Sequence, residues 1–126
     1  MAVRVLLVDD DAAVRAYLRT ILDRLGCETV SLNDVPDAIQ ELNKGTSFDH
    51  VVSDFQMPNG SGLEVLQAAR EQLPKATLTL ITGGTLEIPE REALRELAAT
   101  VLPKPVTADQ IRGLVDSSPA RPAQVP

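Results

Sequence analysis

Val51-Val52-Ser53-Asp54-Phe55-Gln56-Met57-Pro58-Asn59-Gly60-Ser61-Gly62 decides how the rest of the chain is read. An apolar, β-branched run ends on a carboxylate, and a turn rich in Pro, Asn, Gly and Ser follows. A continuous run of this kind fits a strand covered on both faces in a parallel sheet. In such sheets ligands bind beyond the carboxyl ends of the strands, where Asp54 stands. Asp also begins turns by bonding nearby backbone. Asp54 alone therefore does not separate a site from a turn, and the stretches on either side must decide.

Upstream, Val3 to Val8 is a second apolar run of strand length, stopping at Asp9-Asp10-Asp11. Negative charge at a helix start is favourable, and Asp10 or Asp11 suits an N-cap. Val14, Leu18, Ile21, Leu22 and Leu25 then recur at helical spacing on one face, and Gly26 ends the helix. Cys27 to Leu32 predicts the next strand, with Cys27 as a small buried apolar group. Asn33 or Asp34 caps a helix beginning near Pro36 and running to Asn43, closed by Lys44-Gly45. Phe48 to Ser53 is the third strand, with His50 at its start and far from its carboxyl end.

Downstream, Leu63 to Leu73 predicts a helix packing through Val65, Leu66, Ala69 and Leu73 and stopped by Pro74. Thr77 to Ile81 is a fourth strand, ending in Thr82-Gly83-Gly84. Ile88-Pro89 opens a helix with Leu94, Leu97 and Ala98 on one side. Thr100 to Leu102 is a short fifth strand leading into Pro103-Lys104-Pro105, and Thr107 caps a last helix using Ile111, Leu114 and Val115. Residues 117–126 are Pro-rich, lack periodicity and are expected to be disordered, leaving 1–116 as the single folded domain. Five strands alternating with five helices imply a doubly wound α/β fold, flavodoxin-like (βα)5, with parallel strand order 2-1-3-4-5. That order brings Asp9, Asp10 and Asp54 together from neighbouring strand ends, with Thr82 and Lys104 at the same edge.

Composition narrows the chemistry. The formal net charge of −6 argues against a nucleic-acid footprint. No apolar run reaches membrane-spanning length, no targeting segment is expected before the first strand, and the cytoplasm is the expected setting. One cysteine and one histidine exclude disulfides and multi-histidine zinc sites. Three clustered carboxylates repel: two like charges about 4 Å apart cost around 4 kcal/mol at an effective dielectric near 20. Such a cluster raises its pKa values or holds a cation, and oxygen-only ligands favour a hard divalent ion such as Mg²⁺. A phosphoryl group on Asp54 would then meet the metal, the Lys104 ammonium, the Thr82 hydroxyl and the open backbone at Gly83.

Val8-Asp9-Asp10, Asp54 with Met57-Pro58 and Gly60/Gly62, Thr82, and Lys104-Pro105 occur in this order at matching spacings over residues 3 to about 116. Together they resemble the receiver domain of two-component response regulators. The resemblance implies Asp54 as phosphoacceptor, Asp10 as a direct Mg²⁺ (or Mn²⁺) ligand, and Asp9 acting mainly through water. It further implies the Gln56 backbone carbonyl as a ligand, Thr82 and Lys104 on phosphoryl oxygens, and backbone phosphoryl contacts at Phe55 and Gly83. The Lys104-Pro105 bond is expected to be cis. Phosphorylation and dephosphorylation of itself would be its only catalysis, so it is not expected to be an enzyme in the usual sense. The implied donor is a histidine kinase or histidine phosphotransfer domain, meeting the first helix near Arg15 and Leu18 and the loop after Asp54. Output, and a possible homodimer, would use the face of the fourth helix, fifth strand and fifth helix.

Two departures from the family pattern stand out. Val101 replaces the aromatic residue often found three positions before the lysine, and none of Tyr17, Phe48 and Phe55 substitutes for it. Gly83-Gly84 follows the threonine, so the switch is expected to act through the order of that loop rather than by ring rotation. Val101-Leu102-Pro103-Lys104-Pro105 also resembles receivers of hybrid histidine kinases, and no output domain is expected in residues 117–126 after the last helix. A stand-alone receiver and a piece of a longer protein both remain open. A phosphatase using an aspartyl-phosphate intermediate would need an acid two residues after the nucleophile, where Gln56 stands. A flavin-binding relative would need a Ser/Thr/Gly-rich phosphate loop where three aspartates lie. A degenerate receiver that only binds partners would not need the five residue types retained here.

Overall fold

The computed structural model describes residues 2–116. Its main sheet consists of β1 (Arg4–Val8), β2 (Glu28–Leu32), β3 (His50–Asp54), β4 (Thr77–Thr82) and β5 (Thr100–Pro103). The helices are α1 (Ala12–Arg24), α2 (Val35–Asn43), α3 (Gly62–Gln72), α4 (Ile88–Glu96) and α5 (Ala108–Asp116). All strand pairs of this sheet are parallel, in the order β2-β1-β3-β4-β5 expected from the sequence.

Side-chain alternation along each strand divides the core into two layers. Leu6, Val8, Val51, Leu78 and Leu80 pack with Leu42, Leu66 and Leu94 beneath α2, α3 and α4. Val5, Leu7, Val52 and Ile81 pack with Leu18, Leu22, Ile111 and Val115 of α1 and α5. Every residue of β3 is buried, which is why its sequence reads as an unbroken apolar run. Each fully buried Leu or Val contributes roughly 1.5–3 kcal/mol, so β1, β3 and β4, which lead to Asp9, Asp54 and Thr82, belong to the most strongly held part of the domain, whereas β5, before Lys104, is largely exposed.

The helix punctuation works as the residue types require. Asp11 caps α1, its side chain accepting from the N–H groups of Ala13 (2.9 Å) and Val14 (3.2 Å). Asp34 caps α2, and Gly26 follows α1 at φ +81°. Thr107 and Gln110 cap α5 reciprocally, through bonds of 2.9 and 3.1 Å. Cys27 is buried, as expected.

Three readings need correction. The third strand runs His50–Asp54 rather than Phe48–Ser53, because the backbone of Asp54 still pairs with Ile81 of β4. The turn beyond it contains a two-residue antiparallel ribbon, Gln56–Met57 against Gly60–Ser61, too short to carry a strand signal. Ala98 does not share a helical face with Leu94 and Leu97. The helix ends at Glu96, and Ala98 is exposed at φ +55° where the chain reverses towards β5. His50, assigned no site role, is buried with Nε2 2.8 Å from Thr79 Oγ1, and burial lowers its pKa to about 4. Among the described residues no helix is long and apolar enough to cross a membrane. The segment expected to be disordered, 117–126, lies outside the described residues.

Candidate functional site

β1 and β3 run side by side with Val8 opposite Ser53, so Asp9 and Asp54 leave the sheet as neighbours. One carboxylate oxygen each from Asp9, Asp10 and Asp54 lies within 4.8 Å of the others. Asp9 and Asp54 are buried, whereas Asp10 is exposed. Asp9 Oδ1 accepts from the Asp11 N–H at 2.9 Å, but its Oδ2 is buried without a partner. Asp54 Oδ1 accepts from the Phe55 N–H at 3.0 Å and from Lys104 Nζ at 3.0 Å.

The charges explain the titration tendencies. Burial raises the Asp9 pKa most, the Asp11 N–H opposes it, the Asp54 charge adds to it, Lys104 opposes it and Asp10 adds again, with a net rise. For Lys104 burial acts to lower the pKa. The hydrogen bond to Asp54 and the charges of Asp54, Asp9 and Asp10 outweigh it, and the ammonium is held above its ordinary range. A buried carboxylate oxygen with no partner, inside a cluster of oxygen donors, fits a hard divalent cation such as Mg²⁺ or Mn²⁺.

Thr82 is buried at the end of β4, and its carbonyl accepts from the Lys104 N–H at 3.0 Å, tying the ends of β4 and β5. Its hydroxyl is engaged within its own loop. Oγ1 accepts from the Gly84 N–H at 3.1 Å and lies 3.5 Å from the Gly84 carbonyl. No hydrogen bond joins it to Asp54 among the described residues. A Cβ at Gly83 would meet Lys104 at an ordinary 3.8 Å, so close packing does not require glycine there. The Phe55 N–H is shared between Asp54 Oδ1 and the Ile81 carbonyl (2.9 Å). Gln56 pairs with Ser61 in the ribbon and exposes its side chain. The Lys104–Pro105 peptide bond is cis.

Other contacts were not anticipated from the sequence. Arg15 Nη1 donates to the Asp9 carbonyl at 2.7 Å, so it braces the end of β1 as well as facing solvent. Leu18, expected on the donor-facing surface, is 1% exposed because it sits on the apolar face of α1, whereas its neighbour Tyr17 is 51% exposed. At Gly62 a Cβ would run into the Asp54 carbonyl oxygen and stand 2.8 Å from both Leu80 Cδ1 and Ser53 Oγ. Gly62 also donates its N–H to the Phe55 carbonyl at 2.6 Å, and Ser53 Oγ donates to the Asp54 carbonyl at 2.9 Å. The backbone on both sides of the Asp54 side chain is thereby fixed. Gly62 was legible only as one glycine of a glycine-containing turn. Val101, 39% exposed, lines an open groove between α4 and β5 together with Leu94, Arg91 and Arg95.

The family model for the response regulator receiver domain matches residues 5–116. The response regulator protein PilR of Pseudomonas aeruginosa is 34% identical over 113 residues, covering 89% of this chain and 25% of that protein. The transcriptional regulatory protein FixJ of Bradyrhizobium diazoefficiens is 34% identical over 112 residues, covering 88% of this chain and 54% of that protein. The chain thus spans between a quarter and about half of the length of these relatives. A crystal structure of a response regulator protein from Burkholderia pseudomallei, with a phosphorylated aspartic acid, a calcium ion and citrate, superposes with a TM-score of 0.79. At 21% identity, over 91% of this chain and 67% of that one, the likeness is one of fold.

Proposed function

The chain belongs to the response regulator receiver domain family, and from that premise we propose that it is a phosphoacceptor switch with Asp54 as the modified residue. The observation that carries the reading is the convergence of the Asp9, Asp10 and Asp54 oxygens within 4.8 Å beside Lys104 Nζ, 3.0 Å from Asp54 Oδ1. Oδ1 is held by Lys104 and by the Phe55 N–H, which leaves Oδ2 to attack phosphorus. The donor is a phosphohistidine of a partner kinase or phosphotransfer domain. An O–P bond forms as the P–N bond breaks, and the electron pair leaves with the imidazole nitrogen.

Asp9, Asp10, Asp54 and the Gln56 backbone carbonyl would hold Mg²⁺ (or Mn²⁺), which when bound offsets the repulsion of the carboxylates and of the incoming phosphoryl oxygens. Lys104 keeps its proton and balances the added charge. The Thr82 hydroxyl now accepts from the Gly84 N–H and donates over a long 3.5 Å to the Gly84 carbonyl; on turning towards Asp54 it can donate that hydrogen to a phosphoryl oxygen instead. That turn gives up the Gly84 contact and reorders the loop, a route to output that needs no aromatic ring at Val101. The Gly83 N–H, and the Phe55 N–H on leaving Asp54 Oδ1, supply further donors.

The chemistry is confined to the protein's own phosphorylation and dephosphorylation, in the cytoplasm. The exposed surface of α1 at Arg15 and Tyr17 receives the donor. An output partner or a second copy engages α4, β5 and α5. The test is intact-mass spectrometry after incubation with acetyl phosphate and Mg²⁺. Wild type is expected to gain one phosphoryl mass that chelator prevents, and Asp54→Asn to gain none. An equal gain in the variant would overturn the assignment.

A further inference from the structure

Arg70, in the last turn of α3, places its guanidinium among three main-chain carbonyls. Nη1 donates to Pro74 at 2.8 Å and to Ala76 at 2.9 Å, and Nη2 donates to Leu97 at 2.7 Å. No carboxylate pairs with it among the described residues. Pro74 and Ala76 lead into β4, while Leu97 caps α4. The rigid fork of the guanidinium therefore joins the root of one strand to the C-terminal end of one helix. Hydrogen bonds from a charged donor are roughly twice as strong as neutral ones.

The other attachments of α4 lie at the same end. Leu94 is the only buried residue of the helix, and Leu97 packs against the core. The final turn is closed by the Ala98 N–H on the Arg95 carbonyl and the Ala99 N–H on the Leu94 carbonyl, both 3.0 Å. At the opposite end Ile88 is 71% exposed, and the first turn is held by its own Glu87–Glu90 capping box. The loop before it has one half-buried apolar contact, Leu86, and the neutral Thr82–Gly84 bond.

We infer that Arg70 is a latch about which α4 pivots. When Thr82 releases Gly84, the first turn of α4 and the loop before it move, while Leu97 stays fixed to α3 and the root of β4. The trigger rests on the proposed role of Asp54; the latch does not, and is tested without it.

Hydrogen–deuterium exchange resolved to single amides separates the two. In the unmodified protein, Arg70→Met should speed exchange at Leu97, Ala98 and Ala99 by about tenfold or more, as expected for loss of charged hydrogen bonds, and leave Gly84 to Leu86 unchanged. Arg70→Lys, which reaches fewer of the carbonyls, should give a smaller change at the same amides and serves if Arg70→Met does not fold. Unchanged exchange at Leu97–Ala99 in the variant that folds would overturn the latch. Beryllofluoride with Mg²⁺ is then added, with ¹⁹F resonance reporting whether it binds. Bound beryllofluoride should alter exchange at residues 83–90 of wild type and not at Leu97–Ala99; a change centred on Leu97–Ala99 would overturn the pivot. Failure of beryllofluoride to bind would count against the phosphoacceptor reading, with the Arg70 variants still deciding the latch.

Discussion

Replacing Asp9 by Asn should stabilise the metal-free protein while weakening its response to Mg²⁺. Asp9 is 1% exposed, one of its oxygens has no partner, and a carboxylate oxygen of Asp54 lies within 4.8 Å. At an effective dielectric near 20 that pair alone repels by about 3.5 kcal/mol. Lys104 offsets part of it, leaving a net cost of about 1–2 kcal/mol that a neutral amide would not carry. Asn keeps the acceptor for the Asp11 N–H. The expected gain in chelator is therefore about 4–8 °C in Tm for a domain of this size. Because the Asp9 pKa is raised in the folded state, its stabilising contribution is present below the ordinary value of 3.8 and lost as pH rises through the folded value. The advantage of Asn should accordingly be full at pH 7.5 and shrink as the solution is acidified. With free Mg²⁺ at 100 times its Kd, wild type should gain about 2.7 kcal/mol and Asp9→Asn far less. Thermal unfolding of both proteins in chelator and in Mg²⁺ makes the comparison. A variant less stable than wild type in chelator, or equally stabilised by Mg²⁺, would refute the reasoning.

Other consequences can be measured separately. His50 has a pKa of about 4 in the fold against an ordinary 6.5, so the unfolded chain binds more protons between those values and stability falls as pH drops through them. Urea titrations at pH 7 and pH 5 should show wild type losing about 2 kcal/mol more than His50→Gln; equal losses would contradict a buried neutral imidazole. Gly62→Ala forces a Cβ against the Asp54 carbonyl and should cost about 3 kcal/mol or more in chemical unfolding, whereas a neutral result would mean that β3 and α3 separate easily. Gly113 lies inside α5 with nothing within 4 Å of an added Cβ, so Gly113→Ala should raise the denaturant midpoint, by about 0.5–1 kcal/mol in stability.

The five sheet strands and their helices were legible because most apolar runs stop at a polar turn residue, a glycine or a proline, and because a continuous run such as Val51-Val52 needs cover on both faces. The three aspartates were legible as a cluster once strand order was known. What the sequence hid depends on contacts rather than on patterns. Arg70 reaches a carbonyl 27 residues away. Nothing in its neighbourhood distinguishes it from a solvated helix arginine. Thr82 was placed at the right strand end, but its hydroxyl direction is set by Gly84, which supplies a competing N–H. Leu18 shows helical periodicity outweighing resemblance: its spacing with Val14 and Leu22 buries it, whatever surface the family uses there. Ala98 escaped because a left-handed alanine carries no signal of its own, glycine being the usual residue at that turn.

The central claim is that the phosphoryl group resides on Asp54. Borohydride reduces an aspartyl phosphate to homoserine, so treating the phosphorylated protein and sequencing its peptides by tandem mass spectrometry locates the modified residue. The account predicts homoserine at position 54 and nowhere else, dependent on acetyl phosphate and Mg²⁺. Homoserine at position 9 or 10, or phosphate retained on a hydroxyl side chain with position 54 intact, would contradict it.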